Sequence, residues 1–540
     1  MAKKIVQPLV LVFLVASLLM TGWVSYSPAP KAEPVNEAPA AEKAESAANA
    51  KYIFLFIGDG MGVAQRNAAE LYKATTANPD ARPEDTTLLM NTFPAQGMNT
   101  TYDLTSIIPD SASTATAISS GHKTASGVIG MDPDGIETYE YISEVAKEQG
   151  WKVGVISTVS LDHATPAAFY SHVPSRKLMY DISIDLANSE FDYFAGGQMK
   201  ARDKKDADGK YLPNAMGVAV NNGFKVAKGR AAFDRLEAGM GRVIAINEEV
   251  DRSSAMYYTL DQGEDYIKLS EFVEKGIELL DNPDGFFMMV EAGKIDWACH
   301  ANDAAASIHD TLALDESIAI AYEFYEQHPD ETLIVVTGDH ETGGLTIGFA
   351  GTAYSTHFDR IQNQKLSYEV FNSKFAALKE EMGEDFQFED ALPLIEEAFG
   401  MYVIPEEEKA ALLQSIEDAK VEGASEEILK AAAEAEKELY DSMALTDLEL
   451  SILKEAFEQS LLGKELRAKD DYTYLLYGGY DPLSIKLTTT LNQKAGLAWT
   501  SYSHTGTPVQ TSAIGVGAEM FNGYYDQTDI HAKMMESAGF

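Results

Sequence analysis

The sequence predicts an α/β protein: a central, largely parallel sheet flanked by helices, with an inserted helical subdomain late in the chain. Three observations carry this. Four short apolar runs are continuous rather than alternating, the pattern of strands buried on both faces. Each run gives way to residues carrying an oxygen or nitrogen donor, and open α/β sheets gather functional groups at the carboxyl ends of their strands. From about 365 to 480 such runs are replaced by helical periodicity.

Lys3 and Lys4 precede an apolar run from Leu9 to Leu19 that extends towards Trp23. Residues 1–25 therefore read as a signal peptide or an uncleaved anchor, which predicts export to the periplasm or the medium, with a membrane tether as the alternative. Residues 26–50, rich in Ala, Pro, Glu and Lys, read as a flexible linker. The fold is expected to begin near Lys51 and run to residue 540. Cys299, the sole cysteine, excludes an intramolecular disulfide.

Tyr52 to Ile57 is the first apolar run, broken by Gly58-Asp59-Gly60-Met61-Gly62. Pro109-Asp110-Ser111-Ala112 then leads a string of small residues that can pack closely as a helix headed by Ser111. Lys152 to Thr158 is strand-like and enters Leu161-Asp162-His163-Ala164-Thr165-Pro166. Phe286 to Val290 ends in Glu291. In the segment Lys294 to Asp303, a helix would put Asp296 and His300 on one face, four residues apart. Ser307 to Gln327 reads as a helix on the sheet, and Leu333 to Thr337 runs into Gly338-Asp339-His340. Residues 196–250 show no clear organisation. Helices are expected from Pro405 to Asp418 and Ser425 to Ser442, and Thr446-Asp447-Leu448-Glu449 has the form of a capping box. The stretch 365–480 is expected to cover the site or join a partner subunit. The core returns near Thr500 with Ser503-His504-Thr505-Gly506.

The 540 residues carry 84 acidic and 42 basic side chains, a formal charge of −42. No basic block occurs, which argues against nucleic acid as a bound partner. Of ten histidines, only His300, His340 and His504 combine strand-end position with nearby carboxylates. With Asp59, Asp296, Asp339 and Glu291 they form an imidazole and carboxylate set without thiolate, which suits catalytic zinc. An additional oxygen-rich site suits magnesium. Carboxylates so gathered need cations, because their mutual repulsion would otherwise raise their pKa values. Several divalent ions leave the pocket positive, and the N-terminus of a helix at Ser111 favours an anion such as phosphate. Arg176, in Ser175-Arg176-Lys177, adds a planar fork for two phosphate oxygens. Singly, each has a plainer reading: Ser111 as a cap, Asp59 as a turn residue, Asp296 with His300 as a surface pair, Arg176 as a surface charge.

These segments together resemble the alkaline phosphatase family: Ile57 to Gly62, Pro109 to Ala112, Asp162 to Pro166, Ser175-Arg176, Glu291 to His300, Thr337 to His340 and His504 to Gly506, in family order. The resemblance implies a phosphate monoester hydrolase working through a phosphoserine, with Ser111 as nucleophile and Arg176 positioning the phosphoryl group. It implies two zinc ions, one on Asp296, His300 and His504 and the other on Asp59, Asp339 and His340. It implies one magnesium on Asp59, Thr165 and Glu291, with His163 nearby, and a homodimer. His163 and Trp297 depart from the enteric bacterial pattern of Asp and Lys, and this pair resembles the marine Vibrio type. Both are expected to act from behind the direct ligands. The alternatives are a phosphodiesterase of the same superfamily and an exported metal- or phosphate-binding protein.

Overall fold

The computed structural model describes residues 49–540 apart from 79–81, 83–85, 422–423 and 465. The expected signal or anchor (1–25) and the linker up to residue 48 lie outside the described residues. Ala50 is already buried, and its N–H donates to Ser537 O at 2.8 Å, so the fold starts at the end of the expected linker.

Among the described residues fourteen strands occur in order: β1 Tyr52–Gly58, β2 Ala95–Thr100, β3 Lys152–Ser157, β4 Tyr193–Gly196, β5 Lys225–Lys228, β6 Val243–Ile246, β7 Phe286–Glu291, β8 Thr332–Gly338, β9 Glu341–Thr342, β10 Thr346–Ile347, β11 Leu497–Ala498, β12 His504–Thr505, β13 Val509–Gly515 and β14 Gly523–Asp526. Ten of them form one sheet in the order β14-β2-β13-β8-β1-β7-β3-β4-β6-β5. From β8 to β5 every pairing is parallel, whereas β13 runs antiparallel to both β8 and β2. The sheet is thus largely parallel, as expected from the sequence.

The continuous apolar runs have a simple cause. On β1, Tyr52, Phe54 and Phe56 enter the apolar cluster on one face, while Ile53, Leu55 and Ile57 enter that on the other. With helices on both faces, neither side of the strand meets water. The stretch 196–250 supplies β5 and β6 at one edge of the sheet, and four-residue strands are too short to stand out as runs.

Five helices bear on the site: α1 Ser111–Ser120, α2 Lys294–His300, α3 Ala304–Gln327, α4 Tyr368–Met382 and α5 Asp471–Tyr477. In the expected insertion, Pro405 and Ser425 precede helices Glu406–Ala419 and Glu426–Glu436, and Thr446 with Glu449 makes the capping box of Asp447–Leu462. These helices do not form a wholly separate core. Phe371, Phe375, Leu453 and Phe457 belong to the same apolar cluster as Phe54 and Phe56.

Candidate functional site

Strand register builds the centre of the site. Gly58 of β1 pairs with Gly338 of β8, so Asp59 and Asp339, the next residues, leave the sheet side by side. Ile57 also pairs with Glu291 of β7, which pairs in turn with Ser157 of β3. Four strands therefore end together, and the residues after β3 bring His163 and Thr165 to the same edge. Gly60 must be glycine here: its φ is +70°, and a Cβ would lie 2.9 Å from the Asp296 backbone. His504 arrives through the antiparallel pairing of β12 with β9, opposite Thr342.

Ser111 is the first residue of α1. Asp110, not Ser111, is its N-cap and accepts from Ser113 N at 3.1 Å. All ten residues of α1 are buried, which their small size allows. The Ser111 hydroxyl faces His340 Nε2 at 3.2 Å. Arg176 reaches the same cleft and donates to Asp110 Oδ2 at 2.9 Å and to His163 Nε2 at 3.3 Å.

Three sets of candidate ligands converge. In the first, His300 Nε2 is 3.3 Å from Asp296 Oδ1 and 3.2 Å from His504 Nε2, and His504 Nε2 is 3.6 Å from the same Asp296 oxygen. In the second, His340 Nε2 lies 3.2 Å from Asp59 Oδ1 and 3.4 Å from Asp339 Oδ2. In the third, Asp59, His163 and Glu291 offer atoms within 4.8 Å of one another, and Thr165 donates to Asp59 Oδ2 at 3.3 Å. The structure thus brings together every residue singled out in the sequence. Trp297 also lines the cleft, its ring edge-on to His163 with centroids 5.8 Å apart.

Each imidazole is turned by a partner behind it. His300 Nδ1 donates to Tyr502 O at 2.7 Å and His504 Nδ1 to Pro109 O at 2.8 Å. His340 Nδ1 faces the Thr342 hydroxyl at 3.2 Å. All three consequently present Nε2 to the centre.

The donor set fits cations. Asp59 Oδ1 and Glu291 Oε1 are buried without a hydrogen-bond partner, a costly arrangement unless a positive charge faces them. Burial, followed by repulsion from Asp339, Asp296 and Glu291, holds the Asp59 carboxyl well above the usual range. Burial pushes Glu291 and Asp339 up to about 7, with Asp339 and Asp296 respectively adding to it. Burial would also raise Asp296, but His300, His504 and His340 outweigh it and hold that carboxyl well below the usual range. Burial keeps His163 neutral, with a pKa near 3, and Arg176 reinforces this. Carboxylates that cannot all ionise together are the chemistry that divalent ions satisfy.

Sequence reasoning missed the residues that hold these groups. Thr114 donates to Asp339 Oδ2 at 3.0 Å, and Thr342 to Asp296 Oδ1 at 2.6 Å. Lys294, fully buried, pairs with Asp251 and Glu369 at 2.8 and 3.0 Å and anchors the start of α2. Glu369, Tyr368 and Tyr480 come from the helical stretch and line the cleft of about 370 Å³. Thr114, three residues beyond Ser111, Thr342, two beyond His340, and Lys294, two before Asp296, each stood close to a motif.

The sequence model of the alkaline phosphatase family matches residues 50–200 and 245–438. Alkaline phosphatase 3 of Bacillus subtilis is 28% identical over 492 residues, covering 89% of this chain and 87% of that protein. The crystal structure of a cold-active alkaline phosphatase from a psychrophilic Shewanella is 26% identical, with a TM-score of 0.68 over 90% of this chain and 99% of that one. The Thermus thermophilus alkaline phosphatase, 23% identical, shares the fold at a TM-score of 0.63 over 91% of this chain and 92% of its own. With the strand-end cluster beside Ser111 and a family match over most of its length, this chain belongs to the alkaline phosphatase family and hydrolyses phosphate monoesters.

Proposed function

We propose that Ser111 is the nucleophile and that the reaction passes through a phosphoserine. The observation that carries this reading is the Ser111 hydroxyl, at the N-terminus of a ten-residue buried helix and 3.2 Å from His340 Nε2. The positive end of α1 favours an anionic phosphoryl group at this hydroxyl. Ser111 Oγ bonds to phosphorus as the bond to the alcohol oxygen breaks. Water then attacks phosphorus from the vacated side, releasing phosphate and regenerating the hydroxyl.

Arg176 has its guanidinium oriented by Asp110 and His163, which leaves further N–H groups for two phosphoryl oxygens. Asp296, His300 and His504 would hold one zinc, and Asp59, Asp339 and His340 a second. Asp59, Thr165 and Glu291 would hold magnesium, with His163 beside them and Trp297 packed on His163. When bound, these cations activate the attacking hydroxyl and water and neutralise the charge of the departing oxygen. His163, neutral and hydrogen-bonded to Arg176, positions the guanidinium. Residues 1–25 serve export to the periplasm or medium, cleaved or as an anchor, and the working enzyme is a homodimer, which light scattering would test.

The decisive experiment traps the intermediate. Enzyme supplied with zinc and magnesium, mixed with p-nitrophenyl phosphate and acid-quenched, is digested and read by mass spectrometry. Phosphate on Ser111, with turnover reduced at least about 10³-fold in Ser111→Ala, is the expected result. An active Ser111→Ala variant, or preferential hydrolysis of bis-p-nitrophenyl phosphate, would overturn it.

A further inference from the structure

Tyr480 lines two cavities at once. One is the cleft over Ser111 and Arg176, and the other is a separate hollow of about 380 Å³ whose lining includes Tyr474, Tyr477, Lys464, Arg467 and Thr473. The second hollow sets three tyrosines among charged side chains of both signs, Asp470 and Asp471 included, and belongs to the end of the helical stretch, for which the sequence suggested no chemistry.

Its placement is tightly specified. Asp470 caps α5 by accepting from Thr473 N at 2.8 Å. The helix ends at Gly478, with φ of +60°, where a Cβ would lie 2.3 Å from the Tyr502 ring. Only glycine lets this turn rest on Tyr502. Tyr502 in turn donates its hydroxyl to Leu476 O at 3.0 Å, while its carbonyl accepts from His300 Nδ1. Tyr474 OH lies 3.4 Å from Ser503 Oγ, and Arg467 fixes Tyr480 by donating to its carbonyl at 2.8 Å. The tyrosine hollow is therefore bolted to Tyr502, Ser503 and His504, on the His300 and His504 side of the cleft. Tyr474 nevertheless remains 52% exposed, so its ring is open to a ligand.

We propose that this hollow receives the alcohol half of the substrate and favours phosphate monoesters whose alcohol carries a planar aromatic or heteroaromatic ring, such as nucleoside 5′-monophosphates. The proposal rests on the reading that the cleft hydrolyses monoesters at Ser111. Tyrosine faces stack on planar rings whatever their substituents. A small aliphatic alcohol offers nothing to stack.

The test compares adenosine 5′-monophosphate with glycerol 3-phosphate. Both are esters of primary alcohols, so their intrinsic reactivity is similar and the ratio of kcat/KM isolates the ring. Tyr474→Ala is expected to lower that ratio about tenfold, through KM for the nucleotide, and Tyr474→Phe is expected to keep it. Calorimetry with adenosine alone gives a readout independent of turnover, with binding lost in Tyr474→Ala and kept in Tyr474→Phe. If the wild type hydrolyses neither ester yet binds adenosine through Tyr474, the monoester reading fails and the subsite stands. An unchanged ratio, a parallel loss for both esters, or adenosine binding indifferent to Tyr474 overturns the proposal. So does a Tyr474→Ala variant altered only in its particle mass by light scattering, which would make the ring a subunit contact.

Discussion

Thr342 donates a 2.6 Å hydrogen bond to Asp296, joining a residue beyond β8 to the helix that also carries His300. The same hydroxyl lies 3.2 Å from His340 Nδ1. One small side chain thus orients a carboxylate of one candidate metal set and an imidazole of the next. Thr342→Val keeps the shape and removes both bonds. Zinc affinity, read by competition with a chromogenic chelator, is expected to fall 10- to 100-fold, roughly the effect of losing a partner that orients a metal ligand. An affinity within twofold of wild type would mean that backbone packing alone fixes these ligands.

The strand ends were legible because doubly buried strands leave an unbroken apolar run, and the polar residue that stops it marks the sheet edge. Asp59, Glu291, Asp339 and His340 follow from that pattern, and helical spacing pairs Asp296 with His300. Which residues stand behind them was not legible. Thr114 reaches Asp339 across 225 residues of sequence, and Lys294 meets Glu369 across 75. Contacts of that range depend on register and crossover, which no local pattern encodes. Asp110 as the cap of α1 was visible in principle, since Asp ahead of a run of small residues is a common helix start.

Removing cations should invert the usual pH dependence of carboxylate-rich proteins. Glu291 and Asp339 sit near 7 in the folded chain, and Asp59 is also raised, whereas unfolded carboxyls titrate near 4. Between about pH 4 and pH 7, these carboxyls keep protons in the folded metal-free protein that the unfolded chain has lost, so their contribution to stability falls as pH rises, against the opposite contribution of the neutral His163, His340 and His504. His300, lifted to about 9 by Asp296 against the effect of burial, extends the fall into the alkaline range. Divalent ions replace those protons. The gain in melting temperature on adding zinc and magnesium to EDTA-treated enzyme should therefore be larger at pH 8 than at pH 5. Equal gains at both would contradict the raised carboxyls.

Lys294 is the only cation paired with Asp251 and Glu369 among the described residues, and its ammonium also lies 3.9 Å from the centre of the Tyr258 ring. Lys294→Met fills the same space without charge and leaves two half-buried carboxylates without their cation. A cost of about 1 to 3 kcal/mol is expected, below the scale for a fully buried pair because Glu369 keeps contact with water. Asp296 lies two residues along the same helix, so zinc affinity should weaken too. Chemical denaturation of the metal-free protein separates the two effects. Adding Asp251→Asn to Lys294→Met should recover part of the lost stability, and no recovery would place the cost in packing.

Asp110 ties the nucleophile helix to the phosphate-facing guanidinium. Its Oδ1 accepts from Ser113 N and Gly127 N, at 3.1 and 2.9 Å, and its Oδ2 accepts from Arg176. Burial would raise this carboxyl, but Arg176 and the two backbone donors hold it below the usual range. It is therefore ionised wherever the enzyme works. Asp110→Asn preserves the cap, since asparagine caps as well as aspartate, and removes the charge that holds Arg176. Arg176→Ala removes the fork itself. The alanine variant is expected to raise both KM for a monoester and the inhibition constant of inorganic phosphate about 10- to 100-fold, as loss of a charge-assisted contact requires. Asp110→Asn should shift both constants in the same direction by a smaller factor, without adding to the effect of Arg176→Ala in the double variant. Full additivity would mean that Asp110 acts on Ser111 through the helix and not through Arg176.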